Sequence, residues 1–437
     1  MAVKKTGKRR RRRSNLRVFI ISLMLVLTVG GLGMIAYSNS TVVSEEEKPL
    51  TVVDFGRLEQ TLDNTDIPDN TVLENVEIEI ESLEQTSTEE VDVLRAENER
   101  LYNEAISKGE KVFLVNCVDQ EQIKLAFAGD ILLDDEYAMM FRYRSRGSDI
   151  NDTFSATLLE RMRNADVFML NNEFPFSTRG TPTEGKTFTF RANPSNIEMY
   201  AQIGVDLVSL ANNHAYDYGE QALLDTFSTL EGAGIPYVGA GRNIEEAKKP
   251  VYLIANGMKI AVVSATQIER NAVPDTKEAT MTNAGVLRCM DPTALLEVIA
   301  QAKANSDFVI LYIHWGTESQ ETTDWLQDKQ APIYAEAGVD LIIGDHPHCL
   351  QKIDCISGVP VVFSLGNYWF NSKTQNTCLV EVQLTKEGLK SLQFIPCLQE
   401  NCRTSQLEGA KKEEVLNYMR KLSPNVQIDS EGYVSFP

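Results

Sequence analysis

Residues 308–318 read FVILYIHWGTE. An unbroken apolar run from Phe308 to Ile313 meets His314 and then the polar tail Gly316-Thr317-Glu318. A short continuous apolar run bounded by turn residues predicts a strand buried on both faces. In open α/β sheets the carboxyl ends of such strands line the ligand crevice, so His314 and Glu318 fall where chemistry is expected.

The same texture extends outward in both directions. Apolar runs predict strands at 123–128, 167–171, 207–210, 259–264, 341–344 and 361–364. Helix-length segments separate them at 154–164, 196–203, 220–231, 293–304 and 324–336. Strand and helix in alternation argue for an α/β layered domain. The runs 377–384 and 390–396, joined at Glu387-Gly388, read as a hairpin that completes the sheet with antiparallel strands. No internal repeat is visible.

What ends each strand carries the information. The run 123–128 ends in Gly129-Asp130, 167–171 in Asn172-Glu173, 207–210 in Ala211-Asn212-Asn213-His214, and 340–343 in Gly344-Asp345-His346-Pro347-His348. With His314, five strands deliver carboxylates, amides and imidazoles to one rim. The chain has four histidines, and all four, His214, His314, His346 and His348, lie at these ends. A lone histidine is most often a hydrogen-bonded structural residue; four beside carboxylates and an amide form the ligand set of Zn, Mn or Fe, in which a carboxylate can bridge two ions. The His-x-His spacing at 346 and 348 sends both rings to one face of an extended strand, a form that Pro347 favours for His346.

Composition narrows the class of protein. Hydrophobic residues at 43% and charged residues at 24% exclude collagen-like and wholly disordered chains, and the net charge of −20 argues against nucleic-acid binding. The charge is laid out in blocks. Residues 1–17 hold nine basic side chains and no acid, and 38–110 hold twenty acids against five bases. Between them Val18 to Tyr37 runs for twenty uncharged residues, long enough as a helix to span a bilayer's ~30 Å core. The one-sided basic head places the N-terminus in the cytoplasm and the rest outside; a signal peptide cleaved near Ala36-Tyr37-Ser38 is the competing reading. The expected organisation is a basic cytoplasmic head (1–17), a single-pass cell-membrane anchor (18–37), an acidic stalk (38–110), a large α/β domain (120–400) and a C-terminal extension (401–437). Within the stalk Val91, Leu94, Asn98, Leu101 and Ala105 keep heptad spacing, which reads either as a homodimer seam across 91–105 or as one amphipathic helix lying on the domain. Of seven cysteines, six could pair or all could be buried thiols.

Taken together, Gly129-Asp130, Asn171-Asn172-Glu173, Ala211-Asn212-Asn213-His214 with Asp217 and Gly219, Gly239-Ala240-Gly241, His314-Trp315-Gly316-Thr317-Glu318, Gly344-Asp345-His346-Pro347-His348 and Ser364-Leu365-Gly366-Asn367-Tyr368 resemble the CapA family of poly-γ-glutamate capsule biosynthesis proteins, related to the calcineurin-like metallophosphoesterases. The resemblance spans roughly 122–400. It implies a four-layer α/β/β/α metallophosphoesterase-like sandwich, preceded here by one N-terminal transmembrane helix, with a dinuclear divalent-metal site. On that resemblance Asp130 and His348 hold the first ion, Glu173 bridges, and Asn213, His314 and His346 hold the second. His214 is then the proton donor to a leaving group, Asp217 orients it, and Glu318 supports the site or faces substrate. The Asp-x-His usual in the wider group is here Asp130-Ile131-Leu132, and Glu173 stands in place of a bridging Asp. Asp134 or Asp135 is the available substitute ligand, against a capping or loop role for each.

Lys186 and Arg191, with Arg242, are the candidate contacts for an anionic substrate, against the plainer reading of solvated surface charges. Trp315 and Trp369 are either pocket wall or core. Two functions of different class follow from the resemblance: a surface-anchored metal-dependent hydrolase or phosphoesterase acting on an anionic envelope polymer or phosphoester, and a non-catalytic scaffold that binds the polymer beside other capsule synthesis proteins.

Overall fold

The computed structural model describes residues 91–269 and 276–437. The expected head, anchor and most of the stalk lie outside the described residues, and among the described residues no helix is long and apolar enough to cross a membrane.

Among the described residues two large sheets carry the fold, beside two short two-stranded ones. The first has seven strands in the order Lys111–Leu114, Val251–Ala255, Met258–Thr266, Phe308–His314, Leu341–Asp345, Val359–Val362 and Ile353–Ile356. The second runs Arg403–Gln406, Gly388–Glu400, Gln375–Thr385, Ile123–Ile131, Val167–Asn172, Leu207–Ser209 and Tyr237–Val238, with Asn367–Trp369 also paired to Ile123–Ile131. Central strands pair in parallel in both sheets. The long hairpin Gln375–Thr385/Gly388–Glu400 is antiparallel, as its turn predicted.

The sheets face each other across a shared apolar layer. Leu125, Phe127 and Met169 of one meet Ile260, Ile310 and Ile343 of the other. The outer face of the second sheet is covered by the helices Ala156–Arg163, Glu198–Ile203 and Glu220–Ala233 through Leu158, Tyr200 and Phe227. That of the first is covered by Thr293–Ala304 and Trp325–Ala337 through Leu295, Ile299 and Tyr334. The layers are α/β/β/α. Strands buried on both faces explain the unbroken apolar runs in the sequence. The crevice rim is therefore built from two opposed sheets rather than from one open sheet.

The flanks belong to the same fold. Residues 111–114 form an edge strand, and the helix Gly409–Leu422 buries Val415, Leu416 and Met419 against the inter-sheet layer. The helix over 91–107 lies on the domain: Ala105 is fully buried, Leu101 packs beside it, and Asn98 Oδ1 accepts the Gly257 amide at 2.8 Å. Three residues of the heptad seam are thus in contact with the rest of the chain. The strand Val251–Ala255 carried an unread signal, since Asn256-Gly257 between two apolar runs marks a hairpin and both residues have positive φ. All seven cysteines are free thiols.

Candidate metal centre

The carboxyl ends of five strands converge from the two sheets. From one side come Asp130, Glu173 and the 212–214 turn; from the other come His314 and the segment 345–348. Gly129 permits the approach that seats Asp130, because a Cβ there would collide with the Gly366 carbonyl oxygen. That closeness places Asn367 in register with Asp130.

His346 and His348 do not take the extended form expected of them. The strand ends at Asp345, and the two residues have φ of 93° and 56°. Left-handed backbone at non-glycine residues costs of order 1–3 kcal/mol each and persists where the surroundings enforce it. Here it turns both rings inward instead of leaving them on one strand face.

Around His314 the donor atoms crowd together. Its Nε2 lies 2.8 Å from Asn213 Oδ1, 3.0 Å from His346 Nδ1 and 3.5 Å from Glu173 Oε1. Its Nδ1 faces Asp345 Oδ1 at 3.0 Å. Across Glu173, His348 Nδ1 lies 3.0 Å from Asp130 Oδ2 and 2.8 Å from Asn367 Oδ1, while Asn171 Nδ2 donates to Asp130 Oδ1 at 2.8 Å. Glu173 is common to one potential ion-holding group with His314 and His346 and to another with Asp130 and His348; a third joins Asp130, His314 and Asp345.

Electrostatically the centre calls for a cation. Asp130, Glu173 and Asp345 are all fully buried. Both Glu173 carboxylate oxygens and Asp345 Oδ2 have no hydrogen-bond partner. Burial, then the carboxylates of Asp130 and Asp345, push Glu173 well above the usual carboxylate range, and burial with Asp130 does the same to Asp345. For Asp130 burial is outweighed by the His348 hydrogen bond and charge, so its carboxyl is held low. Burial pushes His314 down to about 3 and, with its histidine neighbours, lowers His346 well below the usual imidazole value. For His348 burial is overcome by Asp130, which raises it. Unpaired buried carboxylate oxygens are costly in a low dielectric unless an ion meets them. Neutral imidazoles with carboxylates and an amide oxygen suit a divalent transition metal, so the residues present fit such an ion.

Beside this cluster stands a second arrangement. His214 Nε2 lies 3.9 Å from Glu173 Oε1, and its Nδ1 bonds Asp217 Oδ2 at 2.7 Å. Burial lowers His214, with Asp217 opposing. The fully buried Asp217 also accepts the Phe190 amide at 2.7 Å and the Lys186 ammonium at 2.5 Å. Lys186 in turn donates to the Asn213 carbonyl. Lys186, expected to meet an anionic substrate, is instead a buried strut under Asn213, His214 and Asp217, because its ammonium finds a carboxylate inside.

The other candidates separate clearly. Arg191 places its guanidinium 4.1 Å over the Tyr218 ring and donates to the Arg179 carbonyl, so its charge is used away from the centre. Arg242 is tied to Glu231 and Glu246. Asp134 accepts the amides of Glu136 and Arg191, and Asp135 pairs with Arg144 and Asn196, which are loop roles rather than ligation. Trp315 and Trp369 are core residues whose indole N–H groups donate to the carbonyls of Phe363 and Cys402. Glu318 is exposed and lines a cavity of about 600 Å³ whose wall includes His214 and His348. Asp345, Asn367 and Asn171 were not read as members of the centre. Asp345 had a visible signal in its place between Gly344 and His346, and Asn171 and Asn367 lay within motifs that carry the resemblance, but only the pairing of Asn367 with Asp130 across neighbouring strands shows that it reaches the centre.

Fold and centre together define a four-layer α/β/β/α protein with a buried histidine–carboxylate site suited to divalent cations. The chain belongs to the bacterial capsule synthesis protein PGA_cap family, whose model matches residues 124–372. It is 28% identical over 328 residues to the capsule biosynthesis protein CapA of Bacillus anthracis, covering 72% of this chain and 77% of that one. To the PGA biosynthesis protein CapA of Bacillus subtilis (strain 168) it is 28% identical over 289 residues, covering 64% and 73%. The crystal structure of TT1561 from Thermus thermophilus is similar at a TM-score of 0.35 and 11% identity, covering 64% of this chain and 99% of that one, a level of likeness that carries no functional information.

Proposed function

We propose that this protein is a metal-dependent hydrolase of the phosphoesterase type that acts in the synthesis of a poly-γ-glutamate capsule, anchored in the cell membrane by residues 18–37 with its main domain outside. The capsule role is supported by family membership and by the two CapA relatives. Hydrolysis is supported above all by one observation: both Glu173 oxygens are buried without a partner between two groups of nitrogen and oxygen donors.

Asp130, His348, Glu173, Asn213, His314 and His346 would hold the ions. Bound there, they supply Lewis-acid stabilisation and a water of lowered pKa. The chain's own residues do the rest. Asp217 fixes His214 Nδ1 as the hydrogen-bonded nitrogen, which leaves Nε2 facing the centre to carry a proton to a leaving group. Asp345 holds His314 by Nδ1, so that Nε2 points at Asn213, His346 and Glu173. A second reading, a polymer-binding scaffold without catalysis, is favoured by Leu132, which fills the usual ligand position with an apolar side chain.

Metal analysis of the purified protein, with phosphodiesterase and polyglutamate-cleavage assays on wild type and His214→Ala, separates the two. Bound metal with activity lost in His214→Ala is expected. No metal and no difference between the two proteins would leave the scaffold. Protease accessibility of the stalk on intact cells tests the topology, and a protected stalk refutes the outward orientation.

A further inference from the structure

The geometry points to the 600 Å³ cavity over His214 and His348 as a subsite for one end of an amide-linked acidic chain, an end bearing a free α-amino acid head. This deepens the polyglutamate role proposed above and rests on it.

A cavity of this volume falls in the range of small-ligand sites. Away from the ion-holding cluster at its floor, a phosphate would have to be held by clustered Arg or Lys donors, and this lining has no arginine. Its charged members besides the histidines are Glu318, Glu321 and Lys373. Two nearby cationic side chains are committed elsewhere, Lys186 to Asp217 and Arg191 to Tyr218.

What remains describes a different ligand. Lys373 is exposed on the turn after the strand Asn367–Trp369, where its amide donates to Asn371 Oδ1 at 2.9 Å, and its ammonium is unpaired among the described residues. It can take one carboxylate. Two acids at the same cavity match one ammonium and repel a run of further carboxylates. Asn376 is exposed and offers donor and acceptor together, Asn371 keeps its Nδ2 donor while its Oδ1 accepts the Lys373 amide and Gln399 Nε2, and Gln375 keeps its Oε1 acceptor while its Nε2 donates to the His348 carbonyl, so that the wall has both kinds of group for an amide link. Phe188, Phe190 and Phe370 provide apolar wall for methylene stems. A terminal γ-linked glutamate has this composition, with ammonium and carboxylate on one carbon, two methylenes and then an amide. An internal segment of the same polymer lacks the ammonium and would bring extra carboxylates against Glu318 and Glu321.

Calorimetric titration of the full-length protein, stripped of metal with EDTA, reads this directly. The probes are γ-linked triglutamate with a free amino end, its N-acetylated form, and inorganic phosphate. The free tripeptide is expected to bind, with affinity at least fivefold weaker on N-acetylation and at least fivefold weaker in Lys373→Glu. Glu318→Gln is expected to narrow the difference between free and acetylated peptide. No binding of the tripeptide, losses below fivefold, or phosphate competing for the cavity would overturn the inference. Since metal is absent from the assay, failure of the hydrolase reading through lack of metal or turnover is seen separately from failure of this subsite.

Discussion

Lys186→Met removes one charge from a pair whose side chains are 4% and 0% exposed while keeping the length of the aliphatic stem. Breaking a buried ion pair from one side costs about 3–5 kcal/mol, since the other charge stays buried. Asp217 would retain two donors, the Phe190 amide and His214 Nδ1, which places the loss at the lower end, about 3 kcal/mol. An unfolding entropy near 2.1 cal/mol/K per residue makes this about 4 °C in Tm for a domain of this size. Scanning calorimetry and urea titration of wild type, Lys186→Met, Asp217→Asn and the double variant measure it. The double variant should lose less than the sum of the singles, by about 1–3 kcal/mol of coupling. A loss below about 0.5 kcal/mol in Lys186→Met, as for a surface lysine, or additive singles, would refute the strut and return Lys186 to the substrate side.

Asp345→Ala takes the carboxylate from His314 Nδ1 and leaves it only the Asn171 amide at 3.3 Å, and metal affinity measured by chelator competition should fall about 10–100-fold; an unchanged affinity removes Asp345 from the centre. Gly129→Ala drives a Cβ onto the Gly366 carbonyl oxygen and should cost about 1–3 kcal/mol together with metal binding, whereas a wild-type denaturation midpoint would show that the strands can part freely. In the metal-free protein burial and carboxylate neighbours raise Glu173 and Asp345, so the folded chain binds more protons than the unfolded one and stability falls as pH rises through the folded values. A divalent ion displaces those protons, so metal affinity should rise with pH; calorimetry in buffers of differing ionisation enthalpy detects the release, and none observed contradicts the assignment of the two acids.

Much of this protein was legible along the chain because the physics involved is local. Apolar runs buried on both faces announced the central strands, and polar residues at their ends announced the centre, with four histidines and none elsewhere. The flanking strand Lys111–Leu114 and helix Gly409–Leu422 were not read, because each is stabilised by packing onto sheets distant in sequence. Charge assignments depended most on context: Lys186 and Lys373 are alike in sequence, yet one is buried on Asp217 and the other stands at the cavity.

The sequence by itself determined the α/β alternation, the strand-end chemistry and, through its motifs, the family. Tertiary structure decided that two sheets share the rim, that His346 and His348 turn inward through left-handed backbone, and that Asp345 and Asn367 join the centre. The reason is range. Strand formation depends on neighbours a few residues apart, while the charge state and partner of a buried side chain depend on whatever the fold brings within about 4 Å of it.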